Sequence, residues 1–182
     1  MIWVVLGIIV LLALILVFAY NGMVKARNKV DESWSGIDVQ LKRRHDLIPN
    51  LVETVKGYAA HEKEVFENVS AARSAAISAQ GPAQQAQAET ALTGALGRLF
   101  AVAEAYPVLR ASENFQQLQA ELTNTEDRIA AGRRFYNANV RTLNTKVESF
   151  PSNIVAGMFH FERAEYFEAE DPQVRQAPTV SF

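Results

Sequence analysis

Residues 30–76 read VDESWSGIDVQLKRRHDLIPNLVETVKGYAAHEKEVFENVSAARSAA. Alternating steps of four and three from Val30 land on Trp34, Ile37, Leu41, Arg44, Ile48, Leu51, Val55, Tyr58, Glu62, Val65, Val69, Ala72 and Ala76. Arg44 and Glu62 are the exceptions to an otherwise apolar or alanine seam. A heptad pattern held this long reads as one long helix of coiled-coil type. Pro49 lies inside it, removes a backbone donor, and is expected to bend it there.

N-terminal to this stretch, residues 2–20 form an unbroken apolar run, IWVVLGIIVLLALILVFAY, with no charge and no proline. As a helix it is about 28 Å long, close to the hydrocarbon thickness of a bilayer. Trp3 and Tyr20 mark its two ends, where amphipathic rings favour the membrane interface. A cleavable signal peptide needs a basic n-region and a small-residue cleavage site. The first is missing and residues 18–22 give only a poor version of the second, so the run reads as a retained anchor. Only Asn21-Gly22 interrupts the step from anchor to seam. The simplest reading is one helix from the membrane to about Ala79, with a long arm beyond the bilayer. Lys25, Arg27, Lys29, Lys42, Arg43 and Arg44 all follow the span, and no charged side chain precedes it. The positive-inside rule then puts the C-terminal part in the cytoplasm and the N-terminus outside.

C-terminal to the seam, Gly81-Pro82 ends the first helix. A second is expected from about Ala83 to Tyr106, with Leu92, Leu96, Leu99 and Ala103 on one face, closed by Pro107. Ser112 can cap a third. Its seam runs Phe115, Leu118, Leu122, Thr125, Ile129, Gly132, Tyr136, Val140, Leu143, Val147 and Phe150. Residues 149–152 break the chain again. Residues 154–169 read as one or two short helices, and 171–182 as an extended tail. The fold class is therefore all-α: a transmembrane helix (residues 1–22) continuing into a long-helix antiparallel bundle of three to four helices (23–170), then the tail (171–182). Each long helix hides the others' apolar stripe.

The bulk composition excludes several functions. A net charge of −2 gives no footprint for nucleic acid. With no cysteine, the chain has no disulfide, thiolate metal site, thiol nucleophile or lipoprotein anchor. His61-Glu62-Lys63-Glu64-Val65 starts like a zincin helix but has Val65 where the second ligand belongs. His45 and His61 are over 20 Å apart along one helix and cannot share a metal within one chain. No phosphate loop or nucleophile elbow is present. The expectation is a non-enzymatic protein without a cofactor.

The polar residues of interest are Arg44 and Glu62, because a charge on a buried seam needs a partner. Either each snorkels at a seam widened near Pro49, or each meets an opposite charge on the third helix or a neighbouring subunit. Glu121, Glu126, Asp127, Arg133 and Arg134 are the candidates on the third helix. The aromatic-acidic segment 159–168 supplies Phe159, Phe161, Tyr166 and Phe167. These pack against their own bundle or, with Phe182 of the tail, contact a neighbour or partner.

Asp46-Leu47-Ile48-Pro49-Asn50-Leu51-Val52, Val55-Lys56-Gly57-Tyr58-Ala59-Ala60-His61-Glu62, Tyr136-Asn137-Ala138-Asn139-Val140-Arg141, Asn144-Thr145-Lys146, Phe150-Pro151-Ser152-Asn153, Tyr166-Phe167-Glu168 and Ala177-Pro178-Thr179-Val180-Ser181-Phe182 together resemble the LemA family. The resemblance covers essentially the whole chain. It implies a single-span bacterial inner-membrane protein with a helical-bundle domain and no known enzymatic activity. It also implies a place in membrane organisation or quality control, since relatives are often encoded near a membrane zinc protease of the HtpX type and some contribute to magnetosome membrane formation. Asp46, Pro49 and Asn50 gain meaning as a structural bend. Asp46 and Asn50 would satisfy backbone groups freed by Pro49, or bond Asn137 or Asn144 across the bundle; a binding groove is the other reading. The expected function is a homo-oligomeric membrane scaffold whose partners are the lipid bilayer and other copies of the chain. The alternative is an adaptor or regulatory partner of a membrane metalloprotease of the HtpX type or of another membrane protein.

Overall fold

The computed structural model describes residues 1–168. The tail assigned to residues 171–182, with Phe182, lies outside the described residues. Six helices follow one another: α1 (Ile2–Lys56), α2 (Lys63–Ser78), α3 (Gly81–Glu104), α4 (Pro107–Arg110), α5 (Glu113–Glu148) and α6 (Ser152–Phe159). No strand occurs among the described residues.

The long first helix is shorter than the heptad pattern predicts. It ends at Lys56, and residues 57–62 turn the chain before α2 begins. Gly57 costs about 1 kcal/mol in a helix interior. Tyr58, expected in the seam, is 46% exposed, and Ala59 is buried in its place. Glu62 is likewise not a seam charge: it is the half-exposed residue before α2, and its carbonyl accepts the backbone N–H groups of Val65 and Phe66. Turning here lets Phe66, Val69 and Ala76 of α2 join the core that holds Ile48, Leu51 and Val55 of α1. One straight helix would leave those apolar faces unable to meet. Pro49 stays inside α1, which continues through it.

The chain forms two compact units. Among the described residues, one combines residues 1–40 with 128–166, the other residues 41–127 with 167–168. In the second unit a single core joins Leu51 and Val55 of α1, Val69 of α2, Leu92, Leu96 and Leu99 of α3, Leu109 of α4, and Phe115 and Leu122 of α5. It is a helical bundle built from the predicted faces, with α2 as an added member. Gly81 takes φ 78° at the start of α3, a left-handed conformation that suits glycine, and Pro82 follows in the first turn, where its missing N–H costs nothing.

In the first unit α1 and α5 run antiparallel. Asn139 Nδ2 donates to the Lys29 carbonyl at 3.3 Å, and the Trp34 and Tyr136 rings lie 5.4 Å apart. A Cβ on Gly132 would sit 3.0 Å from Ile37 Cγ1, so glycine there sets the helix separation. Beyond α5, Phe150 is 80% exposed and does not extend the seam, because the helix stops at Glu148. Helix α6 ends at Phe159, and His160 takes φ 55°; the chain from there to 168 is not helical, unlike the short helices expected for 154–169. Side chains of α5 hold this segment instead. The Tyr136 hydroxyl donates to the Glu165 carbonyl at 2.8 Å, and Asn144 both donates to the Ala164 carbonyl and accepts its N–H. Burial, with the negative charges of Glu165 and Asp31, pushes the Tyr136 phenol up to about 12, so it stays a neutral donor.

Candidate functional site

The α1 face that carries the seam places Arg44 inside the second unit, 3% exposed. Its two terminal nitrogens point at three acceptors. Nη1 donates to Glu89 Oε2 at 2.6 Å, and Nη2 donates to Thr93 Oγ1 at 2.7 Å and Glu126 Oε1 at 2.6 Å. Glu89 is also buried, whereas the Glu126 side chain is 44% exposed. One cation therefore ties α1 to α3 and α5. Neighbouring His45 donates from Nε2 to Glu89 Oε1 at 2.7 Å, and Gln85 Nε2 donates to the same oxygen at 2.9 Å. Gln85 Nε2 also reaches the Ala76 carbonyl at 3.0 Å, which brings the last turn of α2 into the network. Arg43, one residue before Arg44, makes only an exposed 3.4 Å pair with Glu121. Asp127, Arg133 and Arg134, the remaining candidates, are exposed on α5.

Burial alone would raise the Glu89 pKa. The His45 hydrogen bond, the positive charge of Arg44 and the Gln85 hydrogen bond outweigh it and hold the carboxyl below its ordinary value of 4.5. A depressed folded-state pKa stabilises the fold above the ordinary value, and that stabilisation disappears as pH falls through the folded value. Acid titration followed by far-ultraviolet circular dichroism should show destabilisation beginning below about pH 4.5. Glu89→Gln should lower stability at neutral pH and flatten the acid limb.

Pro49 creates a specific defect. In an α-helix the N–H of residue i bonds the carbonyl of residue i−4. Proline has no N–H, so the His45 carbonyl loses its helical donor. Arg73 of α2 supplies one, with Nε donating to the His45 oxygen at 2.7 Å. This is the role expected of Asp46 and Asn50, both of which are exposed. Asn144, proposed as their partner, bonds Ala164 instead. Charge-assisted hydrogen bonds contribute about 1.5–3 kcal/mol. Arg73→Met should destabilise the second unit by about that amount, as read by urea midpoint. Adding Pro49→Ala restores the helical donor and should recover much of the loss.

The sequence pointed to Arg44 but not to the α3 side of the cluster. A signal was present: Gln85, Glu89, Leu92, Leu96, Leu99 and Ala103 follow steps of four and three, so Gln85 and Glu89 extend the apolar face of α3. Phe66, Val69, Arg73 and Ala76 do the same on α2. Among the described residues no group of histidine, aspartate and glutamate is arranged to hold a metal.

The aromatic candidates separate. Phe161 and Phe167 are buried, Tyr166 is half-buried and Phe159 is 52% exposed. At the other end of the first unit, the apolar part of α1 is long and apolar enough to cross a membrane, and none of it is buried by the rest of the molecule. An exposed apolar surface of this size is stable in lipid or against another apolar surface. Trp3 is 80% exposed at its start; Tyr20 at its end packs against Phe159 and Phe161.

The family model described as the LemA family matches residues 33–182. The chain belongs to the LemA family. The match takes in the Arg44 cluster, Pro49 and all of α5, and leaves the apolar run outside it. This LemA-family chain is 31% identical over 179 residues to magnetosome protein MamQ 2 of Paramagnetospirillum magneticum, covering 84% of this chain and 66% of that one. It is 30% identical over 178 residues to magnetosome protein MamQ of Magnetospirillum gryphiswaldense, covering 84% and 65%. It is 26% identical over 155 residues to protein LemA of Metamycoplasma hominis, covering 83% and 69%. The chain thus spans just under two thirds of the length of the two magnetosome proteins.

Proposed function

We propose that this LemA-family chain is a single-pass protein of the bacterial inner membrane, without catalytic activity, that joins copies of itself into a membrane-bound scaffold. The N-terminus lies outside and the chain that follows the apolar run faces the cytoplasm. The observation that carries this reading is the pairing of an apolar helix segment that the rest of the molecule leaves uncovered with a polar cluster committed to its own helices. Arg44, His45, Gln85, Glu89, Thr93 and Glu126 bond one another rather than face a cleft, which suits a structural lock better than a reaction centre. Lys25, Arg27 and Lys29 directly after the apolar run support the orientation. Val39, Val108 and Phe135 are large, apolar and more than half exposed on the helices, and supply contact surface for neighbouring copies. Two relatives bear the name of magnetosome proteins, which fits membrane organisation.

Cross-linking in native membranes tests the proposal. The scaffold reading expects adducts between copies of the chain, at residues such as Phe135. Adducts only with a heterologous membrane protein would replace it with the adaptor reading, a membrane metalloprotease being one such partner. Because the chain has no cysteine, a single Ser78→Cys reports topology. Labelling by an impermeant thiol reagent in intact cells would refute the cytoplasmic assignment.

A further inference from the structure

The first unit presents a second apolar surface besides the anchor. Helix α6 turns Val155 and Ala156 inward, where they pack with Met23, Ala19 and Val24 of α1. Its other face is apolar and exposed. Ile154 and Met158 lie one turn apart on it and are 53% and 59% exposed, Phe159 beside them is 52% exposed, and Phe150 in the turn just before the helix is 80% exposed. Water does not favour such a face on an eight-residue helix, and α6 could have carried polar residues there at no cost to its own packing. The location is informative. The Phe159 ring meets the Tyr20 ring edge-on at 4.8 Å, and Tyr20 ends the apolar run. Residues 19–24 of α1, which α6 packs on, lie within about one helical turn, roughly 5 Å, of that end. A helix fixed at this level stands where the acyl region meets the headgroups.

The geometry points to α6 as an interfacial membrane element: its Ile154–Met158–Phe159 face, with Phe150 just before the helix, enters the same bilayer that α1 spans. The charges around it fit this placement. Lys25 and Arg27 are exposed on the adjoining turns of α1, with the Arg27 guanidinium 5.4 Å above the Phe161 ring, and Lys146 of α5 sits beside Gly22. Arg163 is also near but is paired with Glu148 at 3.0 Å. Basic groups close to an apolar helix at this level are the pattern of elements that lie in an anionic lipid interface. The occupant is therefore lipid, continuous with the lipid around α1, and not a second copy of the chain. Two contacts, one spanning and one lying flat, would fix the rotation of α1 about its axis, which a lone span leaves free.

This inference rests on α1 spanning the bilayer, and the test separates the two. Full-length protein is reconstituted in vesicles of phosphatidylcholine with phosphatidylglycerol. Single cysteines replace Leu11, Gln119, Ile154 or Met158, each carrying a nitroxide. Collisions with oxygen, which partitions into lipid, are compared with collisions with a water-soluble nickel chelate. The Ile154 and Met158 labels should lose nickel collisions relative to the exposed Gln119 label while keeping oxygen collisions, at a depth shallower than Leu11. Nickel access equal to that of Gln119, with Leu11 still in lipid, overturns the inference alone. Protection from both reagents with spin–spin broadening assigns the face to a second copy and also overturns it. Nickel access at Leu11 removes the anchor reading and the inference with it.

Discussion

Replacing Arg44 with alanine should destabilise the second unit by about 3–5 kcal/mol, the range seen when one partner of a buried ion pair is removed. The reason is the charge left behind. Glu89 is 7% exposed, and its Oε2 would lose a 2.6 Å donor in a site where water cannot replace it. Glu126, 44% exposed, can return to solvent and should matter less. Replacing both members of the buried pair, as Arg44→Met with Glu89→Leu, should restore most of the stability. A buried pair is often no better than well-packed apolar residues of similar volume. The same double variant should form a less specific bundle, because Arg44 is the side chain that bonds α1 to both α3 and α5. Urea unfolding of full-length protein in detergent gives the first comparison, and the dispersion of methyl resonances gives the second. A small loss for Arg44→Ala would mean that Glu89 is not buried against it.

The second large effect concerns the turn at residues 57–62. Leu51 of α1 and Val69 of α2 are both fully buried in one core. Leu51→Ala should cost about 2–5 kcal/mol, as for other buried leucine truncations. Val69→Ala should cost less, because fewer methyl groups are removed. If α2 folds back onto the core that α1 enters, the two losses should be non-additive, since nearby truncations share a cavity. In an uninterrupted helix these residues would be about 27 Å apart and their effects would simply add. Additivity within experimental error would therefore restore the single long helix.

That turn is where sequence and structure part, and the reason is physical. The seam from Val30 to Val55 is buried in the structure apart from the half-buried Trp34. The pattern continues past residue 57 because α2 has an apolar face of its own that happens to fall close to the same phase. Periodicity does not register a reversal of direction when the spacing survives it. Gly57 was the available sign, and one glycine is tolerated inside many helices. The faces of α3 and α5 were legible because Leu92, Leu96, Leu99, Tyr136 and Val140 repeat without interruption.

The polar cluster was only half legible. A charge on an apolar seam, such as Arg44, announces that a partner exists but not which helix carries it. Glu89 extends the α3 face and hides there as one more polar residue near a helix start. The link between Pro49 and Arg73 crosses from one helix to another, and nothing at the level of spacing joins them. The segment after α6 was read as helical from its composition. Its hydrogen bonds to Tyr136 and Asn144 hold it in a non-helical path instead, a tertiary effect that local propensity does not contain.

The mass of the full-length protein in mild detergent, measured by light scattering beside a variant lacking residues 1–24, tests self-assembly most directly. A self-assembling scaffold gives a uniform particle of many copies that needs the anchor to form. A full-length protein that stays monomeric at every concentration would contradict it.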